Sequence, residues 1–249
     1  MRRGYPGFGG QQKAGPAIPS PNIWNWPEIY EIENRAQDAD GDLWSALAEE
    51  TGGWDGADVV DVGCGDGFHL PRFAERAATV AGVEPHPPLV ERARRRVAGD
   101  DRITVHAAGA ERLPLPDGSA DLVHARTAYF FGPGCEPGLA EAERVLRPGG
   151  VLAVVDLDFT RRPYGTWLRA DLPRYDPPAV DRFFAAQGFT LRRVLSTWRF
   201  ERRADLEEVL RIEFSVRTAR RAIDDVADRT VRVGYRLHVR RRADGLVLP

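Results

Sequence analysis

The chain has 249 residues, and its 35 Lys and Arg against 37 Asp and Glu give a formal net charge of -2. That length accommodates one large α/β domain with a substantial core, and the near-neutral charge disfavours a polyanionic partner such as nucleic acid or an anionic membrane. Cys64 and Cys135 are too few for a disulfide framework and lack the spacing of a thiolate metal site. No apolar run approaches the roughly 18 residues of a membrane span, so a soluble protein of the reducing cytoplasm is expected. Lys13 is the only lysine, and Arg92, Arg94, Arg95 and Arg96 fall together as a solvated helix face.

Residues 1–21, rich in Gly, Pro and Gln, read as a disordered or extended tail. Residues 22–249 read as a single domain: a helical cap over 22–57, a core over 58–158 and C-terminal elements over 159–249. From Pro27 to Thr51 the spacing of Ile29, Tyr30, Ile32, Leu43, Trp44 and Leu47 suits two amphipathic helices interrupted at Asp38 to Gly41. Strand and helix then alternate: strands at 58–63, 79–84, 103–107, 120–125 and 151–156, and helices at 68–76, 88–97 and 139–146. Such spacing predicts a doubly wound, mostly parallel sheet. Further on, a helix over 178–187, a strand over 189–200 and one long helix from Ala204 to about Arg221 are expected. Val231, Val233, Tyr235, Leu237 and Val239 then alternate with polar residues, as in a half-buried strand pairing antiparallel near a sheet edge.

The segment Asp61-Val62-Gly63-Cys64-Gly65-Asp66-Gly67 runs from a buried strand into a glycine-rich turn. Glycines there permit positive φ and close backbone approach to a ligand. Seventeen residues beyond Gly67, Gly82-Val83-Glu84 ends the second strand on a carboxylate, where nucleotide-binding sheets meet ribose hydroxyls. The chain resembles the class I S-adenosylmethionine-dependent methyltransferases in these two segments and in two more, Ala110 to Val123 and Glu143-Arg144-Val145-Leu146-Arg147-Pro148-Gly149-Gly150.

The resemblance implies a Rossmann-like seven-stranded sheet and S-adenosyl-L-methionine as cofactor. It implies that Gly63 and Gly65 offer backbone contacts beside the methionine part, with Asp61 helping to hold its ammonium and Glu84 binding the ribose. Ala110 and Glu111 fall near the adenine, and Cys64, Pro85 and Ala125 complete the cofactor-binding set. Family members often carry an aspartate just before the Ala-Glu pair, whereas this chain has Gly109; Glu111 or a backbone carbonyl then takes the adenine amine. A dinucleotide site is disfavoured because Phe68 stands where G-x-G-x-x-G needs its third glycine, and Asp66 would bring negative charge to a pyrophosphate.

Methyl transfer needs alignment and water exclusion more than acid-base machinery. The loop after the fourth strand carries the catalytic candidates: His124 as a base, Arg126 as a carboxylate binder and Tyr129, with Phe130, as a pocket wall. His69 and His86 read as helix-start residues. Asp156 and Asp158 lack a clear third carboxylate, so no metal is expected. Trp24, Trp26, Tyr30 and Glu31 suit either a lid or a static helix, and the 201–225 segment either an acceptor wall or a homodimer surface. The expected function is O- or N-methylation of a small-molecule acceptor by in-line transfer. The alternatives are a non-catalytic cofactor-binding scaffold and, against the charge balance, an RNA methyltransferase.

Overall fold

The computed structural model describes residues 20–244; of the tail expected over residues 1–21, residues 1–19 lie outside the described residues, and Pro21 opens a helix. The elements in chain order are α1 (Pro21–Asn25), α2 (Pro27–Ala36), α3 (Asp42–Thr51), β1 (Asp58–Val62), α4 (Leu70–Ala74), β2 (Thr79–Glu84), α5 (Pro87–Arg96), β3 (Ile103–Ala107), β4 (Ala120–Arg126), α6 (Glu136–Val145), β5 (Leu146–Leu157), α7 (Tyr164–Asp171), α8 (Pro177–Ala186), β6 (Thr190–Arg199), α9 (Arg203–Glu213), α10 (Val216–Asp225) and β7 (Thr230–Arg241). The strands form one seven-stranded sheet in the order β3-β2-β1-β4-β5-β7-β6. Pairs β1·β2, β2·β3, β1·β4 and β4·β5 are parallel.

Strand β7 runs against its neighbours. Asp158 N–H donates to Gly234 O while Gly149 N–H donates to Arg242 O, so β5 and β7 pair with opposite direction. The doubly wound, mostly parallel sheet with an antiparallel strand near one edge is therefore present. The described residues divide into two compact units, 47–156 with 180–192 and 237–244, and 20–46 with 157–179 and 193–236.

In the unit built around β1 to β5, the parallel strands are apolar because both their faces are covered. Val59, Val60 and Val62 of β1, Val80 and Val83 of β2, Val123 of β4 and Leu152 of β5 are all buried. Each such side chain contributes roughly 1.5–3 kcal/mol of transfer free energy. Helix α5 starts on Pro87 and Pro88, ends on Arg94, Arg95 and Arg96, and buries Leu89, Val90 and Ala93. Proline at a helix start and cations at its end suit the missing donor and the macrodipole. Arg144 gathers the 113–117 loop onto α6, donating to the carbonyls of Leu113 (2.9 Å) and Leu115 (2.8 Å) while pairing with Glu141 and Asp117.

The other unit has an aromatic centre. Tyr164 packs against Trp167, Trp198 and Phe214, and its hydroxyl donates to Glu213 at 3.0 Å. The interruption between α2 and α3 is a built cap: Asp38, at φ 51°, accepts from Leu43 N (2.9 Å), Trp44 N (3.1 Å) and Ser196 Oγ (2.7 Å). Trp24, Trp26 and Tyr30 lie on or between α1 and α2 of this unit.

Three elements depart from expectation. The long helix from Ala204 is two helices, because Ser215 leaves helical geometry and caps α10 while Asp171 binds its amide (2.6 Å) and hydroxyl (2.7 Å). Helix α7 lies in a stretch for which the sequence predicts no element. Its Gly165 fits where a Cβ would come within 2.6 Å of Phe159 O, a packing demand with no local signature. Strand β5 begins at Leu146 instead of Val151: Leu146 pairs with Ala120 and Val151 with Leu122, so Arg147 to Gly150 form a bulge inside the strand.

Candidate functional site

The order β3-β2-β1-β4 reverses direction between β1 and β4. That switch point opens a crevice outside the carboxyl ends of the strands, where open α/β sheets bind ligands. The candidate residues sit there within one compact unit, on the turns that leave β1, β2, β3 and β4.

The turn after β1 holds Gly63, Gly65 and Gly67 at φ 74°, 59° and 81°. A Cβ at Gly63 would lie 2.3 Å from Ala128 Cβ, and one at Gly67 would lie 3.0 Å from Ala93 Cβ. Only glycine fits this backbone and this spacing. The amides of Gly63 and Cys64 both donate to Val83 O, at 2.7 and 3.1 Å, which ties the turn to the end of β2.

Glu84 ends β2 and is 5% exposed. One oxygen accepts from Gly65 N at 3.1 Å and the other from His86 N at 2.9 Å. Burial nevertheless dominates and raises its pKa to about 7. One strand further, Ala108 N–H donates to Glu84 O at 3.2 Å, bringing the turn after β3 alongside. There the Glu111 carboxylate folds back over Gly109, with Oε2 2.7 Å from where a Cβ at 109 would stand.

On the other side of β1, His124 is the register partner of Asp61. Its Nδ1 lies 2.7 Å from Asp61 Oδ1, the two residues are 1% and 3% exposed, and the ring packs on Phe73 at 5.1 Å. The sequence reading offers His124 as a base; the structure buries it, with Nδ1 committed to Asp61. Beyond it the chain leaves β4 under strain, with Thr127 at φ 46° and Tyr129 at φ 44°. Non-glycine residues in this region cost about 1–3 kcal/mol each and cluster at ligand sites.

The Tyr129 ring abuts Gly138, whose absent Cβ would lie 2.3 Å from Cε1. Burial, with the Glu111 charge beside it, pushes the Tyr129 phenol well up, so it donates and does not serve as a base. Arg126 ends β4, and together with burial its charge helps hold the His69 imidazole well below the usual range. Burial likewise pushes the Cys64 thiol up, and Cys135 up to about 12, so neither is a nucleophile.

Two expectations change here. Asp66 is 2% exposed and ion-paired to Arg96 at 2.8 Å, so its charge is neutralised from below and no longer argues against a pyrophosphate. Phe68 in place of the third glycine still does. Arg96, read as part of a solvated face, thus supports the glycine turn; thirty residues separate the pair and no local pattern marks it. Asp158 is spent on Thr160, through its amide (2.8 Å) and hydroxyl (2.6 Å), and on Arg193 (3.3 Å). Among the described residues no group of three His, Cys, Asp or Glu could hold a metal ion, and no helix is long and apolar enough to cross a membrane.

A parallel sheet with a glycine turn after its first strand and a buried acid at the end of its second is an arrangement in which open α/β sheets bind nucleosides. Residues 60–154 match the methyltransferase domain family. The 27-O-demethylrifamycin SV methyltransferase of Amycolatopsis mediterranei is 38% identical over 120 residues, covering 47% of this chain and 43% of that one. A SAM-dependent methyltransferase from Aquifex aeolicus shares the fold at TM-score 0.52 and 18% identity, covering 84% of this chain and 97% of that one. The [4+2]-cyclase SpnF shares it at TM-score 0.55 and 22% identity, with 82% and 81% covered. The chain spans 31% to 54% of the length of the first curated relatives it matches. Its core, residues 60–154, thus resembles a class I methyltransferase domain, and S-adenosylmethionine is the cofactor that this resemblance implies.

The residues present fit that cofactor. Ala128 and Ala93 press on the turn where Gly63 and Gly67 lack a Cβ, and the Glu84 carboxylate beside it is an acceptor of the kind a vicinal diol requires.

Proposed function

We propose that this chain transfers the methyl group of S-adenosylmethionine to an oxygen or nitrogen of a small-molecule acceptor. The observation that carries the reading is the buried Glu84 carboxylate held against Gly65 N, beside a turn that admits only glycine at position 63. The cofactor supplies an electrophilic methyl on a cationic sulfur. Glu84 binds the ribose, Gly63 and Gly65 present backbone to the methionine part, and Glu111 accepts from the adenine amine. Arg126 and Tyr129 are assigned to the acceptor side, the first as a cation and the second as a hydrogen-bond donor. The match to a rifamycin O-methyltransferase supports a small acceptor.

Incubating the protein with methyl-labelled S-adenosylmethionine and a cell extract tests the transfer. Label in the small-molecule fraction is expected; label confined to RNA or protein, or no label above the protein-free control, contradicts it. The cyclase neighbour shares only the fold, yet shows that this fold does not by itself fix methyl transfer. For Glu111, a charge-assisted hydrogen bond is worth about 1.5–3 kcal/mol, so Glu111→Gln is expected to weaken S-adenosylhomocysteine about tenfold or more. An unchanged dissociation constant would assign the adenine contact to backbone.

A further inference from the structure

We infer that His124 acts through Asp61: its imidazole is a positioning residue that donates from Nδ1 to the Asp61 carboxylate and fixes that carboxylate at the entrance of the glycine turn. A carboxylate only accepts, so the hydrogen between the two groups sits on Nδ1. The 2.7 Å separation is that of a charge-assisted hydrogen bond, and both side chains are almost wholly removed from water. Cross-strand register makes the pairing obligatory. Asp61 and His124 are opposite one another on adjacent parallel strands, so their side chains leave the same face of the sheet.

The backbone around Asp61 explains why a side-chain donor is needed. The amides of Gly63 and Cys64 are spent on Val83 O, and that of Gly65 on Glu84. In many glycine turns the turn's own amides would hold such a carboxylate; here those three are committed to β2. A buried carboxylate without donors is costly, and His124 supplies one while Phe73 fixes the plane of its ring at a centroid distance of 5.1 Å. The charged and titratable groups around the pair are Arg126, His69, whose imidazole is kept uncharged by burial and by the Arg126 charge, and Cys64, whose thiol feels Asp61, Glu84 and Asp66. The cofactor's methionine end is the ligand group that this arrangement serves, which rests on the proposed function.

The test compares His124→Asn with His124→Phe. Asparagine carries its amide nitrogen on Cγ, where Nδ1 stands in histidine, whereas phenylalanine keeps the ring and removes the donor. Calorimetric titration with S-adenosylhomocysteine is expected to give an affinity within about threefold of the native protein for the Asn variant and about tenfold or more weaker for the Phe variant. In the native protein, nitrogen-15 NMR of labelled histidine is expected to show one ring protonated at Nδ1, with a shift that changes in Asp61→Asn. Equal affinities for the two variants, high or low, overturn the inference, as does an imidazole signal indifferent to Asp61→Asn. If the native protein binds no S-adenosylhomocysteine while the NMR signature is present, it is the functional reading that falls.

Discussion

Between about pH 5.5 and about pH 8, the affinity of this protein for S-adenosylhomocysteine is expected to rise by more than tenfold and then level off, as Glu84 passes from acid to carboxylate. Its pKa, raised to about 7 chiefly by burial, puts that transition inside the working range. Ribose hydroxyls donate to a carboxylate, and the protonated acid offers them one acceptor fewer. Below the transition, binding is therefore accompanied by proton release, visible as a dependence of the calorimetric heat on the buffer's own ionisation enthalpy.

Folding stability moves the other way. The folded-state pKa lies above the unfolded reference of 4.5, so the contribution of Glu84 to stability is fully present below that value and is lost as the pH rises through about 7. At roughly 1.4 kcal/mol per pH unit the loss sums to about 3 kcal/mol. Denaturation of the native protein and of Glu84→Gln across this range isolates the effect, because the variant has nothing to titrate at that position. Parallel pH profiles for the two proteins would show that Glu84 is an ordinary carboxylate.

The second large effect belongs to Gly63. Substitution by alanine forces a Cβ to within 2.3 Å of Ala128 Cβ and places it on a backbone at φ 74°. The left-handed conformation costs about 1–2 kcal/mol and overpacking about 1–3 kcal/mol more, against a total stability of about 5–15 kcal/mol. Gly63→Ala is thus expected to lose about 3–4 kcal/mol in chemical denaturation and to bind cofactor poorly even where folded. Adding Ala128→Gly removes the collision and leaves the strain, so the double variant should recover about 1–3 kcal/mol relative to additivity. Strict additivity would mean that the turn after β4 does not press on the glycine turn.

The parallel core was legible because burial on both faces writes itself into the strands as apolar runs; β2 and β3 are read to the residue from Thr79–Glu84 and Ile103–Ala107. The acid of Glu84 was legible for a similar reason, since it ends such a run. What the sequence withheld depends on contacts between distant segments. Asp61 meets His124 across 63 positions only because β4 crosses back beside β1. Asp66 meets Arg96, and Tyr129 meets Gly138, through the packing of α5 and α6, and no periodicity encodes either. Helix α7 stayed hidden because Pro163 and Gly165 bracket its start and mimic a loop.

The segment from His124 at the end of β4 through the following loop changed most between sequence and structure. As a string of residues it offers an imidazole, a guanidinium and a phenol as if all three faced an acceptor. Folded, the imidazole is buried on Asp61, while the phenol is beside Glu111 and held protonated. Methyl transfer through alignment, with little acid-base assistance, is the chemistry such a loop suits.

Titration of the native protein with S-adenosylhomocysteine at about pH 8, where Glu84 is a carboxylate, tests the central claim most directly. One-to-one binding that Glu84→Gln weakens at least about tenfold is the predicted result. Absence of binding by the folded native protein freed of any copurified ligand, or binding equally tight in the variant, would contradict it.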